Sequence, residues 1–187
     1  NFNMTLSEFK VIFWWEWAHR QLGRLIGLSV LLPLIYFSIK EGFWIIKNYG
    51  IIFILVCLQG FFGWYMVSSG LINRVDVSHY RLALHLVTAF IILSVVFWNF
   101  LKLTKIQINK ISIQLFPIKF FLFLLFIQLI IGAMVSGMDA GTIYNTWPLM
   151  GSSYFPDDSR FIEILDITFF DNPSIVQFIH RNIAYLI

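Results

Sequence analysis

Long apolar runs alternate along the chain with shorter polar connections. The runs lie at about 19–39, 50–70, 81–101, 118–138 and from 176 to the final residue. Each complete run has about 20 residues, which is the length that an α-helix needs to cross a hydrocarbon core about 30 Å thick. The every-second-residue alternation of a membrane β-barrel strand is absent from them. The pattern therefore predicts an all-α, polytopic membrane bundle with about five spans.

Composition supports the same class of protein. Hydrophobic residues make up 59% of the chain, charged residues 12%, and the mean hydropathy is +0.79. Soluble domains average about 45–50% apolar and about 25% charged residues, so the lipid bilayer is the expected surrounding. The net charge of +3 is not concentrated on a soluble face, which excludes nucleic acid as a partner.

The charges of the connections predict the orientation and the domain organisation. The 102–117 segment carries lysines and no acid, whereas the 139–175 segment carries six acids and only Arg160. Positive residues stay on the inner side, so the first is an inner basic loop and the second a long outer loop. The remaining divisions are an outer interfacial amphipathic segment (1–18), most of a first-half helix bundle (19–101) and the start of a second-half bundle (118–187).

A phrase of eight residues occurs twice. HRQLGRLI at 19–26 returns as HRNIAYLI at 180–187, and each copy places a histidine where a polar segment enters an apolar run. A weaker echo joins the second and fourth runs, where Gln59 and Gly63, like Gln128 and Gly132, precede a Met-Val-Ser triplet. Small residues let membrane helices approach closely, which explains this second echo by packing. Together the echoes predict a pseudo-repeat of two similar halves.

Three histidines are the candidate metal ligands. His19, His85 and His180 lie at matched depth near the outer ends of their runs. Polar groups inside a membrane are costly and mark functional sites, and two imidazoles on neighbouring helices can bind one heme iron from opposite faces. His79 lies six residues before His85, so we expect it in the outer turn and not in the site.

Charged residues accompany these histidines. Glu16 precedes His19 by three residues, so on a continuous helix both side chains share a face, where the carboxylate can orient the imidazole or move protons. Four arginines lie near the same outer ends: Arg20, Arg24, Arg81 and Arg181. Arginine suits the carboxylates of heme propionates, but it also reaches lipid headgroups, and the sequence leaves both readings open.

With these residues in view, the chain resembles heme A synthases of the mitochondrial and alphaproteobacterial type. The matching phrases are MTLSEFKVIFWWEWAHRQLGRLIG (4–27), LQGFFGWYMVSSGL (58–71), YRLALHL (80–86), GAMVSGMDAGTIYNTWPLM (132–150) and VQFIHRNIAYL (176–186). The resemblance implies eight helices in two four-helix halves, each with a pair of histidines. It also implies that this chain lacks the first helix and the last two, so we expect it to be inactive by itself.

The resemblance further implies a heme-modifying membrane oxidoreductase. Such an enzyme oxidises the C8 methyl group of heme O to the formyl group of heme A, for terminal oxidase assembly, with water as the oxygen source. It implies catalytic roles for Glu16, His19 and His85, with heme O bound by the two histidines. His180 would then bind a heme b cofactor, and the arginines would bind propionates.

Partners and location also follow from the resemblance. It implies heme O synthase and an electron-transfer protein as partners and leaves a homo-oligomer open. It places the protein in the bacterial plasma membrane or the mitochondrial inner membrane, with the heme sites towards the outer (periplasmic or intermembrane) face. The alternative is a bis-histidine b-type cytochrome that only transfers electrons, which has no need of a carboxylate beside its ligand.

Overall fold

The computed structural model of the protein describes residues 4–70, 77–104 and 115–187. The five α-helices in these ranges are α1 (Leu6–Glu41), α2 (Trp44–Gly70), α3 (His79–Thr104), α4 (Leu115–Gly137) and α5 (Pro173–Leu186). Helices α1 to α4 are long and apolar enough to cross a membrane, and α5 begins the fifth apolar run. The predicted all-α, polytopic class is confirmed. Most of the predicted inner basic loop lies outside the described residues.

Helix α1 begins well before the first apolar run. The Thr5 hydroxyl accepts a hydrogen bond from the Glu8 backbone N–H at 3.4 Å, and the Glu8 carboxylate accepts one from the Thr5 N–H at 2.8 Å. This reciprocal capping box satisfies two backbone donors that a helix start leaves open. The predicted interfacial segment (1–18) is therefore, from Leu6 onwards, the first part of one continuous helix of 36 residues.

The described residues fall into two compact units, and each is described by itself. The first comprises the described residues within Asn1–Tyr65 and Thr88–Thr104, and the second comprises those within Met66–Val87 and Lys105–Ile187. In the first unit Gly42 ends α1, donating its N–H to the Ser38 carbonyl at 3.1 Å with a φ of 101°. That backbone conformation favours glycine because a Cβ would be strained there. Only Gly42 and Phe43 connect α1 to α2.

The core of the second unit lies where three helices meet. Its buried residues are Ala83 from α3, Ile131, Ala133 and Met134 from α4, and Val176 from α5. Helix α4 approaches the start of α3 so closely that a Cβ added to Gly137 would lie 2.8 Å from the His79 Cα atom. The close helix approach expected of small residues thus occurs in this unit.

The connection between α4 and α5, which is called the outer connection below after its predicted side of the membrane, is folded. Three short 3₁₀ helices lie within it, at Ala140–Thr142, Phe161–Leu165 and Ile167–Asp171. It ends at Asn172, whose side-chain oxygen accepts from the Ser174 N–H at 3.0 Å and the Ile175 N–H at 3.3 Å. Proline at the first helical position follows this cap, so α5 begins at Pro173, slightly before the predicted 176.

Candidate functional site

The eight predicted site residues lie on three helices. Glu16, His19, Arg20 and Arg24 belong to α1, Arg81 and His85 to α3, and His180 and Arg181 to α5. The α1 residues are in the first compact unit, and the other four are in the second. The pairing of His19 with His85 therefore joins two units that are described separately, and it stays a prediction.

The α1 residues form a polar stripe on a continuous helix. Arg20 Nη2 donates to Glu16 Oε2 at 2.7 Å, and Arg24 Nη1 donates to Gln21 Oε1 at 3.1 Å. Both partners of the Glu16–Arg20 pair are exposed, so the pair contributes little to folding. In this arrangement the carboxylate lies on the face that Glu16 shares with His19. The roles predicted for Arg20 and Arg24 towards propionates are not tested by these contacts.

His85 lies about two turns into α3, one turn after Arg81. Both side chains are partly buried, and their four-residue spacing places them on one face of the helix. Ala83 and Leu86, between and after them, belong to the core of the second unit. Packing against this core therefore holds the part of α3 that carries His85.

His180 is seated against α4. A Cβ added to Gly132 would lie 3.0 Å from Cε1 of His180, so only glycine lets the ring come this close without displacement. One turn earlier, Gln128 Nε2 lies 3.3 Å from His180 Nε2. Among the described residues, the buried Nδ1 of His180 has no hydrogen-bond partner. Gln128 and Gly132 together are called the His180 seat below.

The His180 seat fits a ligand of heme iron. With the Gln128 amide nitrogen as the donor, Nε2 of His180 accepts the hydrogen bond and the neutral ring carries its proton on Nδ1. A neutral imidazole with a lone pair on Nε2 is a common iron ligand. The described residues contain no group of three or more His, Cys, Asp or Glu side chains that could hold a bare metal ion. An axial heme ligand needs no such cluster.

Arg181, next to His180, anchors the outer connection. Its Nη1 donates to the Thr146 carbonyl at 2.8 Å and its Nη2 to the Tyr144 carbonyl at 2.5 Å. Gln177, one turn earlier, donates from Nε2 to the same Tyr144 carbonyl at 2.9 Å. Sequence reasoning did not identify Gln177, because no local pattern distinguishes it. Arg181 is thus observed to hold two carbonyl groups of the connection. Its binding of a heme propionate stays a prediction.

Aromatic side chains extend the anchoring along α5. Trp147 Nε1 donates to the Tyr185 hydroxyl at 2.8 Å, and the Tyr154 hydroxyl donates to Asn182 Oδ1 at 2.5 Å. The Tyr154 and Phe178 rings meet edge to face with centroids 5.7 Å apart. The second copy of the repeated phrase therefore has two faces: His180 contacts α4, while its polar neighbours bind the outer connection.

Two adjacent aspartates order the middle of this connection. The Ser152 N–H donates to Asp157 Oδ2 at 2.6 Å, which holds the pKa of Asp157 below its usual value. Ser174 Oγ, at the start of α5, donates to Asp158 Oδ2 at 2.7 Å. Burial acts to raise the pKa of Asp158, but hydrogen bonds from Ser174 and Tyr144 outweigh it and lower that pKa. Asp158 thus ties the connection to α5 as a carboxylate.

Asp158→Asn is expected to loosen the outer connection. Loss of one net hydrogen bond of this kind shifts the equilibrium between the closed and the opened connection by about 2- to 10-fold. Arg160 is the only lysine or arginine between 139 and 172, and its side chain is exposed, so trypsin cleavage after it reports opening. We expect cleavage at pH 7.5 to be faster by about that factor.

Asp139→Asn is the matched control, because the Asp139 side chain makes no capping hydrogen bond. Equal cleavage rates for both variants would contradict the anchoring role of Asp158. In the unmodified chain a lowered folded pKa means that the stabilisation is complete above the unfolded carboxyl pKa of about 3.9. It is lost as the pH falls through the folded value, so the protection of amides in the connection, relative to their intrinsic exchange rates, should be smaller at pH 3 than at pH 7.5.

His79 differs from its expected position in the outer turn. It is the first residue of α3 and is buried, with 7% of its surface exposed. Its Nε2 lies 3.3 Å from Asp171 Oδ1, and the Tyr80 hydroxyl donates to the same oxygen at 2.9 Å. The physical reason is the glycine at 137, whose lack of a side chain lets α4 cover His79. His79 therefore joins α3 to α4 and to the end of the outer connection.

Four membrane-length helices and a seated imidazole define a multi-pass membrane protein with a candidate heme-ligand site. The chain belongs to the cytochrome oxidase assembly protein family, whose family model matches residues 1–187. Among curated relatives it is 49% identical to the heme A synthase of Pelagibacter ubique over 197 residues, covering 100% of this chain and 56% of that protein. It is 46% identical to that of Rickettsia bellii (99% and 57%) and 41% identical to that of Rhodopseudomonas palustris (99% and 52%).

These comparisons confirm the resemblance to the alphaproteobacterial type. The chain spans about half the length of the curated relatives that it matches. No solved structure matches the chain.

Proposed function

We propose that the protein with this chain is a heme A synthase, which oxidises the C8 methyl group of heme O to a formyl group. The relatives that carry this name support the proposal. The observation that carries it is the placement of Glu16 and His19 on one face of α1, with the Glu16 carboxylate held by Arg20 at 2.7 Å. A protein that only transfers electrons needs no carboxylate beside its ligand.

The overall change adds one oxygen atom and removes electrons in pairs. The methyl group and one water give a hydroxymethyl group, two protons and two electrons. A second two-electron oxidation gives the formyl group and two further protons. Water supplies the oxygen atom, and an electron-transfer protein is the proposed acceptor.

Three side chains act on the substrate in this proposal. His19 and His85 hold the iron of heme O, which orients the C8 methyl group. Glu16 then either accepts a proton from the attacking water or stabilises positive charge that develops at C8. Arg20 holds this carboxylate in place, so Arg20 is a positioning residue as well as a candidate partner of a propionate.

The second half of the proposal concerns a resident cofactor. His180 would hold heme b, and the fit rests on the lone pair at Nε2 and on the close approach at Gly132. Heme b, when bound, supplies storage of one electron at a time. Arg24, Arg81 and Arg181 are the further proposed partners of the propionates, with Arg181 also holding the Tyr144 and Thr146 carbonyls.

The remaining proposals concern the setting of the protein. Residues 19–101 and 118–187 are the proposed parts of the two halves, with the heme sites towards the outer face of the bacterial plasma membrane or mitochondrial inner membrane. Heme O synthase is a proposed partner that supplies the substrate, and a homo-oligomer is a further proposed state. The four apolar helices support the membrane setting.

The proposal is tested by production of the full-length protein in bacteria that make heme O but no heme A. We expect heme A in the extracted hemes, and we expect His85→Ala to reduce it to background because one ligand of the substrate is lost. Cys57→Ser, at an exposed position of α2, is the control and should produce heme A normally. Heme O alone in cells that contain the intact protein would overturn the proposal.

A further inference from the structure

The amide nitrogen of Gln128 contacts the ring nitrogen of His180 that would bind iron. Its Nε2 lies 3.3 Å from His180 Nε2, and both side chains are partly buried between α4 and α5. The Gln128 Oε1 atom is buried without a hydrogen-bond partner among the described residues. Among the described residues, the hydrogen bond of the Gln128 side chain is therefore the one between its Nε2 and His180 Nε2.

We infer that Gln128 caps the ligand nitrogen of His180 when heme is absent and lowers the heme affinity of this site. Nε2 has one lone pair in the plane of the ring, so it cannot accept from Gln128 and bind iron at the same time. Heme binding must break the hydrogen bond. The bond stabilises only the heme-free protein, and a state stabilised in this way binds its ligand more weakly. This inference rests on the proposed binding of heme b by His180.

Gly132 has a different role in the same seat, because it sets the position of the His180 ring. It lets the His180 ring lie against α4, since a Cβ would be 3.0 Å from Cε1. That contact depends on the position of the ring and not on whether Nε2 is bonded to an amide or to iron. Gly132 is therefore a positioning residue for His180 in both states, whereas Gln128 acts on the heme-free state alone.

The inference is tested by titration of the full-length protein in detergent with ferric heme b. His19→Ala and His85→Ala are present throughout, so that the absorbance reports the His180 site. We expect Gln128→Leu to bind heme about 2- to 10-fold more tightly, the factor that corresponds to one net hydrogen bond. We also expect it to lower the thermal midpoint of the heme-free form without lowering that of the loaded form.

Gly132→Ala should bind heme more weakly and alter the low-spin electron paramagnetic resonance signal, because the ring is displaced. Ser136→Ala, an exposed change on the same helix, should alter neither property. Equal or weaker heme binding by Gln128→Leu, with normal binding by the parent, would overturn the role of Gln128 alone. Heme binding that survives the addition of His180→Ala would overturn the proposed site and the inference with it.

Discussion

Glu16→Gln is expected to reduce heme A formation by about 10²- to 10⁴-fold while heme O stays bound, because general acid–base groups contribute factors of this size. Glutamine keeps the shape of the side chain and can still accept from Arg20, so the helix and its polar stripe persist. It removes the negative charge and the ability to take a proton. Either proposed action of Glu16, on the water or on positive charge at C8, is lost.

The measurement is the ratio of heme A to heme O in extracts of cells that produce the variant, with the heme spectrum of the purified protein beside it. Glu8→Gln is the matched control, since Glu8 is a carboxylate of the same helix that serves only the capping box with Thr5. Normal heme A output from Glu16→Gln would contradict the catalytic role. Loss of bound heme O from that variant would make Glu16 a binding residue instead.

The helices could be predicted from hydropathy, but their ends could not. Apolar runs of about 20 residues identify spans because the bilayer sets their length. The ends are set by caps, as at Thr5 with Glu8 and at Asn172 with Pro173. Both are patterns readable in the sequence, and they lie in segments that hydropathy treats as flanks. The bounds of α1 and α5 therefore differ from the apolar runs.

The candidate site could be predicted only as far as residue type and helical spacing reach. The sequence identified His180, and Gly132 predicted a close approach of another helix. Neither pattern indicated that His180 is the side chain that packs against Gln128 and Gly132. That partner is set by tertiary contact across 52 positions of the chain. The anchoring of Tyr144 by Gln177 and Arg181 has the same origin. The burial of His79 also has this origin, because the glycine that lies against it, Gly137, is distant in the sequence.

Gly137→Ala is expected to destabilise the second unit by about 1–3 kcal/mol, the usual cost of added volume in a packed site. The new Cβ would lie 2.8 Å from the Cα and 2.9 Å from the Cβ of His79. Rotation of a side chain cannot relieve a contact with these atoms, so the start of α3 must move away from α4. His85 lies about two turns along the same helix, and heme bound by His85 should fall with stability.

Thermal unfolding of the purified protein measures this effect, with Gly60→Ala as the matched control. Apart from its chain neighbours and the nearby backbone of its own helix, no described atom lies within 4 Å of a Cβ at Gly60. That change should therefore be neutral or stabilising, by up to about 1 kcal/mol, since alanine favours helix over glycine. Adding His79→Ala to Gly137→Ala should not restore stability, because alanine keeps both atoms that are in conflict. Restoration by that second change would place the conflict in the imidazole ring and contradict the backbone contact between α3 and α4.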